Sequence, residues 1–151
     1  TVASLEMDPE FRAAVVAGLV EGGVDAATAE CVVAYAEKNA SRDTDRQTFQ
    51  AMEALVHNLN TMHSRAGAQT PFSSVNYGMD TSPEGRMVIK NMLLATEEGL
   101  GSGETPIFPV QIFRVKEGVN YNPEDPNSDL FKLAMHCSAK RLFPNFSFLD
   151  A

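Results

Sequence analysis

The sequence predicts an α/β fold of three parallel strands with crossover helices, preceded by a helical segment, and three features carry that reading. Two helix starts are marked by a capping residue followed by proline, Ser82-Pro83 and Asp125-Pro126. Three strand-like runs, 69–77, 107–115 and one beginning at 146–149, alternate with those helices. The connections are long enough for right-handed crossovers, which return the chain in the same direction and make the strands parallel neighbours.

Taken in order, residues 11–40 read as two short helices. Phe11, Val15, Leu19 and then Ala29, Val32, Val33, Ala36 recur at helical spacing around the break Gly22-Gly23. The polar stretch 41–45 reads as a joint, with Thr44 and Gln47 forming a capping box that opens the next helix. Phe49, Met52, Val56, Leu59 and Met62 then mark an apolar stripe down a long helix. Arg65-Ala66-Gly67-Ala68 breaks it, and Pro71 suits the first residues of the extended run that follows. Ser82-Pro83-Glu84 opens a helix whose apolar positions Val88, Met92 and Ala95 run toward Gly99. Asp125-Pro126 opens another, with Leu130, Ala134 and Cys137 on one face and Phe131, Met135 and Leu142 beside it, until Pro144. The division expected is a helical segment over 1–43 and a partial β/α barrel over 44–151. Helices on one side of such a sheet would leave an apolar face uncovered, because parallel sheets are normally buried on both faces.

Composition narrows the function. With 12 Lys and Arg against 20 Asp and Glu, the net charge of -8 offers no extended positive surface for nucleic acid. No apolar stretch approaches the roughly 20 residues needed to span a bilayer, which points to a cytoplasmic setting. Cys31 and Cys137 are too few for a disulfide framework or a four-ligand zinc site, and both are expected to be reduced. Thr1 in place of an initiator Met, and Asp150-Ala151 directly after the run Phe146-Ser147-Phe148-Leu149, suggest a piece of a longer chain.

Several constellations invite chemistry. Gly99-Leu100-Gly101-Ser102-Gly103 lies after a helix and before a strand, the reverse of a phosphate loop, and reads as a helix C-cap and turn. Gln50, Glu53, His57 and Asn60 share a polar helix face; Glu53 and His57 could pair, but no further ligands at supporting spacing make a metal site. His136 and Cys137 point about 100° apart on a helix, which argues against a Cys–His nucleophile pair, and Cys137 shares the core face. The ends of parallel strands are where α/β proteins place their chemistry, here Asn76-Tyr77, Phe113-Arg114 and Leu149-Asp150. Along the first strand Gln69, Ser73 and Tyr77 face one way and Ser74 and Asn76 the other. So many polar groups on a strand buried on both sides need partners, either a satisfied internal network or a polar ligand.

The run Phe49-Gln50-Ala51-Met52-Glu53-Ala54-Leu55-Val56-His57-Asn58-Leu59-Asn60-Thr61-Met62-His63-Ser64-Arg65-Ala66-Gly67-Ala68-Gln69-Thr70-Pro71-Phe72-Ser73-Ser74 resembles the anaerobic (class III) ribonucleoside-triphosphate reductases. The likeness continues through Asn76-Tyr77-Gly78, Asp80-Thr81-Ser82-Pro83-Glu84-Gly85-Arg86, Gly103-Glu104-Thr105-Pro106-Ile107-Phe108-Pro109 and Lys140-Arg141-Leu142-Phe143-Pro144-Asn145-Phe146. It covers about residues 41–151, the first 40 sharing only helical character. The resemblance implies a ten-stranded β/α barrel in which a glycyl radical generates a cysteine thiyl radical that abstracts the ribose 3′ hydrogen, with formate or a thiol as reductant. It also implies ribonucleoside triphosphate substrates, ATP or dNTP effectors near a homodimer interface, a radical-SAM activating protein, and a zinc site in a C-terminal region.

By that resemblance the thiyl cysteine, the radical glycine and the zinc cysteines would all lie beyond Ala151, so no catalytic or metal residue is assigned within the chain. Gln69, Ser73, Ser74 and Asn76 are the residues expected to wall the substrate. Gln50 and His57 are expected to face a dimer partner or effector, and Asn58, Asn60 and Arg65 to anchor the helix-to-strand turn. The alternatives are a non-catalytic nucleotide-binding or dimerising module, and another glycyl-radical barrel enzyme.

Overall fold

A computed structural model describes residues 8–62 and 69–150. The chain divides into two compact units, Thr1–Gln47 and Thr48–Ala151.

In the first unit α1 (Pro9–Glu21) begins at Asp8, whose carboxylate accepts the Glu10 N–H at 3.0 Å. It ends at Gly22-Gly23, as the sequence predicts, and Gly23 takes the left-handed φ of 95° that glycine adopts without a Cβ clash. Asp25 caps the next helix through the Thr28 N–H at 3.0 Å. Arg12 reaches Glu30 at 2.7 Å and Glu37 at 3.4 Å.

That next helix, α2, runs unbroken over Ala26–Thr61, which corrects the expected joint at 41–45. Nothing in Ser41, Arg42, Asp43, Thr44 or Asp45 forbids helical backbone. Thr44 caps nothing: its hydroxyl donates back to the Ala40 carbonyl at 2.8 Å, a bond made inside a helix rather than at its start. The predicted break at 65–68 lies outside the described residues.

The second unit holds three strands, β1 (Ser74–Tyr77), β2 (Val110–Val115) and β3 (Asn145–Phe148), all parallel in the order β1-β2-β3. Between them run α3 (Pro83–Glu98) and α4 (Ser128–Arg141). This is the mixed α/β arrangement that the alternation predicts, although three strands do not by themselves close a barrel.

Element ends follow from local bonding. Ser82 caps α3 by accepting the Gly85 N–H at 3.1 Å, as its position before Pro83 predicts. The second strand begins at Val110 rather than Ile107, because Pro109 has no N–H and the N–H groups of Ile107 and Phe108 are already bound to Asn60 Oδ1 at 2.8 and 3.0 Å. The final helix starts at Ser128 with Asn127 at its cap, not at Asp125-Pro126. Asp125 instead accepts the Asn122 N–H at 2.8 Å within the preceding turn. Gly99 closes α3 at φ 83°, followed by the turn that the glycine-rich segment predicts.

Both helices pack on one face of the sheet. Ile89 and Leu93 from α3, and Leu130, Ala134 and Cys137 from α4, enclose Phe113 and Val115 of the central strand. Phe113 has Tyr77, Phe131 and Phe146 around it, with ring centroids 5.7–6.1 Å away. Burying such side chains stabilises by roughly 1.5–3 kcal/mol each. A short polar chain crosses this layer: Tyr77 Oη donates to Gln111 Oε1 at 2.5 Å, and Gln111 Nε2 donates to Thr96 Oγ1 at 2.7 Å. The same burial raises the Tyr77 phenol's pKa, with Cys137 adding to the shift, so it stays protonated.

The opposite face carries the alternate residues, Ser74 and Asn76, Val110, Ile112 and Arg114, Asn145 and Ser147, each exposed or half-buried. The expectation of an uncovered apolar face is therefore wrong for most of it. Only Val110 and Ile112 are apolar, and polar side chains flank them on both neighbouring strands.

Candidate functional site

The open face and the C-terminal strand ends form the candidate site, and buried asparagines hold it in shape. After β1 the chain turns at Gly78 (φ 114°), where a Cβ would lie 2.8 Å from the Arg114 carbonyl oxygen. Only glycine allows the two strand ends to approach so closely. Asn120, fully buried, donates to the Gly78 and Arg114 carbonyls at 3.0 and 2.9 Å and accepts the Lys116 N–H at 2.9 Å. Asn127, also fully buried, donates to the Asp80 carbonyl at 2.8 Å, and Arg86 Nη1 donates to its Oδ1 at 2.6 Å. Arg86 extends the strut to the Pro126 carbonyl and to Asp129, the latter at 2.7 Å. Every strand-end group that these amides meet is thereby satisfied without solvent.

A cleft of about 420 Å³ opens beside this turn, lined by Asn76, Gly78, Asp80, Gly85, Val88 and Arg114 among others. Asp80 takes the Ser82 N–H at 2.9 Å, and the Ser82 hydrogen bonds hold its carboxyl below the usual range, so it stays ionised. A second cleft of about 230 Å³ lies past the ends of β2 and β3, where Glu117 N–H donates to Asp150 at 2.7 Å.

The sequence-predicted residues separate on this frame. Ser74 and Asn76 come together, both exposed on the open face. Ser73 precedes β1 on the parity of Val75 and Tyr77, and its hydroxyl is buried with no hydrogen-bond partner among the described residues. Gln69 is exposed, five positions before β1. Gln50 and His57 are exposed on α2, and Glu53 and His57 form no ion pair among the described residues. Asn60 anchors the segment entering β2, while the helix-to-strand turn expected of it lies largely outside the described residues. Its amide ties α2 to that segment, donating to the Phe108 carbonyl at 2.5 Å besides accepting two N–H groups. Arg65 lies outside the described residues.

Period-two parity applied to β2 and β3 would have added Arg114, Asn145 and Ser147 to Ser74 and Asn76. Sequence reasoning places Arg114 at a strand end without assigning it to this face, and it misses Asn145 and Ser147 because it follows that alternation along the first strand alone.

The cysteines lie elsewhere. Cys137 is fully buried between the helices and the sheet; its thiol donates to the Leu93 carbonyl at 3.5 Å and burial pushes it up to about 11. Cys31 is exposed on the part of α2 in the first unit. Among the described residues no group of His, Cys, Asp and Glu could hold a metal ion, and no helix is long and apolar enough to cross a membrane.

Residues 13–151 match the family model described as anaerobic ribonucleoside-triphosphate reductase. The chain belongs to that family. The match begins at residue 13, inside α1, so the helical segment belongs to the likeness as well as residues 41–151. The chain is 37% identical over 102 residues to the anaerobic ribonucleoside-triphosphate reductase of Haemophilus influenzae, a stretch covering 67% of this chain and 14% of that protein. Its identity to the Escherichia coli enzyme of that name is 35% over 111 residues, covering 73% and 15%. To that of phage T4 it is 39% over 114 residues, covering 75% and 19%. The chain thus spans about a sixth of the length of the anaerobic ribonucleoside-triphosphate reductases it matches.

Proposed function

We propose that this chain supplies part of the substrate wall of an anaerobic ribonucleoside-triphosphate reductase, which reduces ribonucleotides to deoxyribonucleotides by glycyl and thiyl radical chemistry. One observation carries the reading: the sheet face turned away from the helices is lined by the polar groups Ser74, Asn76, Arg114, Asn145 and Ser147, of which Asn76, Arg114 and Ser147 lie toward the C-terminal strand ends that α/β proteins use for ligands. A sheet face buried against protein alone would be apolar. Hydroxyl and amide groups there suit a ribonucleotide's sugar and base, whereas Gln69 and Ser73 lie off that face and carry less of the reading.

A glycyl radical, with formate or a thiol as reductant, would supply the redox chemistry in this reading, after activation by a radical-SAM protein. Cys137 does not fit a thiyl role, since it sits on the helix side of the sheet and its thiol is buried. What these residues do is bind and orient substrate. Gln50 and His57, exposed on α2, are the side chains offered to a partner subunit of a homodimer or to an ATP or dNTP effector.

The test is Asn76→Leu in the full-length reductase. Its kcat/KM for ribonucleotide should fall by at least about tenfold, the cost of losing a hydrogen bond of roughly 1.5 kcal/mol in the wall, with thermal unfolding unchanged. Parental turnover in that variant would remove the open face from the active site.

A further inference from the structure

The basic side chains of the sheet unit are unequally occupied. Arg86 is bound to Asn127 and Asp129, Lys140 to Glu97 at 3.1 Å, and Arg141 to the carbonyls of Glu97, Glu98 and Gly103 at 2.6–2.9 Å. Arg114 differs. It is exposed on the open face of the central strand, and its guanidinium has no hydrogen-bond or ion-pair partner among the described residues.

Its surroundings are nevertheless built. The Arg114 carbonyl is fixed by Asn120, its register partner on β3 is Ser147, and Asn76 lies one step back on β1. Gly78 follows Asn76 on the same parity and contributes no side chain, which leaves the cleft of about 420 Å³ open between Arg114 and the first turn of α3 at Gly85. Asp80 is the carboxylate lining that cleft; it is engaged by Ser82 and makes no ion pair with Arg114. In a chain of net charge -8, a rigidly based guanidinium beside an amide and an empty-sided cleft suits an oxyanion, which its planar fork can bind with two parallel hydrogen bonds.

We infer that Arg114 binds the phosphate oxygens of the nucleotide substrate, with Asn76 beside it meeting the uncharged part of the same molecule. This inference rests on the wall reading above and goes beyond it by dividing the wall into a phosphate end and a sugar end. Arg114 is a binding residue here, since nothing about its position offers proton or radical transfer.

The experiment is equilibrium binding to the full-length, unactivated reductase with its effector sites saturated, using a ribonucleoside triphosphate and inorganic tripolyphosphate as competing probes. Arg114→Gln should weaken both by roughly 10- to 100-fold, the loss of a charge-assisted pair of bonds, and Arg114→Lys by less. Asn76→Ala should weaken the nucleotide and leave tripolyphosphate unchanged. Parental tripolyphosphate binding in Arg114→Gln, or no tripolyphosphate competition in the parent, overturns the assignment of Arg114. A different pattern would reject the wall itself: Asn76→Ala with parental nucleotide binding and parental turnover. The two failures are therefore distinguishable.

Discussion

Replacing Asn120 by Ala removes three hydrogen bonds from a fully buried site, to the Gly78 and Arg114 carbonyls and from the Lys116 N–H. None of the three partners can turn to solvent without moving a strand end, so each lost bond costs roughly 1 kcal/mol and the substitution about 3 kcal/mol in all. With a urea m-value of about 2 kcal/mol/M for a domain of this size, the unfolding midpoint should fall by about 1.5 M. Asn120→Asp should cost at least as much, because a carboxylate keeps the Lys116 N–H but cannot donate to two carbonyls. The control is Asn145→Ala, at an exposed position on the open face, where a change within about 0.5 kcal/mol is expected. Urea titrations of the three variants followed by far-UV circular dichroism give the comparison. If Asn120→Ala unfolds at the same midpoint as the Asn145 control, the two strand ends are not held by this amide, and the account of a rigid cleft fails with it.

Two further outcomes follow from the packing. Cys137 is buried, with its thiol pushed up to about 11, while Cys31 is exposed. Iodoacetamide at about pH 8 should therefore label one cysteine quickly in the folded chain and two in urea, with peptide mapping placing the first label on Cys31; rapid native labelling of Cys137 would contradict its place in the core. Glu97 bonds Lys140 at 3.1 Å and lies 3.4 Å from His136, and these partners, Lys140 foremost, hold its carboxyl below the usual range. A depressed carboxyl contributes stability that is complete above its unfolded pKa and lost as pH falls through the folded one. The parent should thus lose more stability than Glu97→Gln between about pH 5 and pH 3 in urea titrations, and parallel curves would count against the pair.

Much of this fold was legible in the residues. Ser82-Pro83 placed the start of α3, Gly22-Gly23 ended α1, and Leu130, Ala134 and Cys137 named the buried face of α4. The failures share a cause: a polar side chain with two possible partners cannot be assigned from its neighbours alone. Thr44 looked like a cap and bonds back into its own helix. Asp125 looked like the α4 cap and serves a turn three residues away, while the true cap position, Asn127, spends its amide on the β1 loop some 47 residues back in sequence. Asn60 likewise bonds a segment that lies 47 and 48 residues on. Such choices are settled by tertiary contact, and local propensity records only that a capable side chain is present.

The site divides the same way. Ser74 and Asn76 could be placed on one face because β-strand alternation is a local rule, and the structure puts both there. Arg114, Asn145 and Ser147 join them only through the inter-strand register, which aligns Asn76 with Ile112 and Asn145, and Arg114 with Ser147. A one-residue slip of β2 would exchange the whole set, sending Arg114 into the helix-side core and Phe113 to the open face. Burying an unpaired guanidinium costs far more than exposing it, and Phe113 would lose its packing against Tyr77, Phe131 and Phe146. The aromatic core therefore fixes the register, and the register in turn fixes which polar groups share the open face. The chemistry of that face is thus specified by residues on the other side of the sheet, which never touch it.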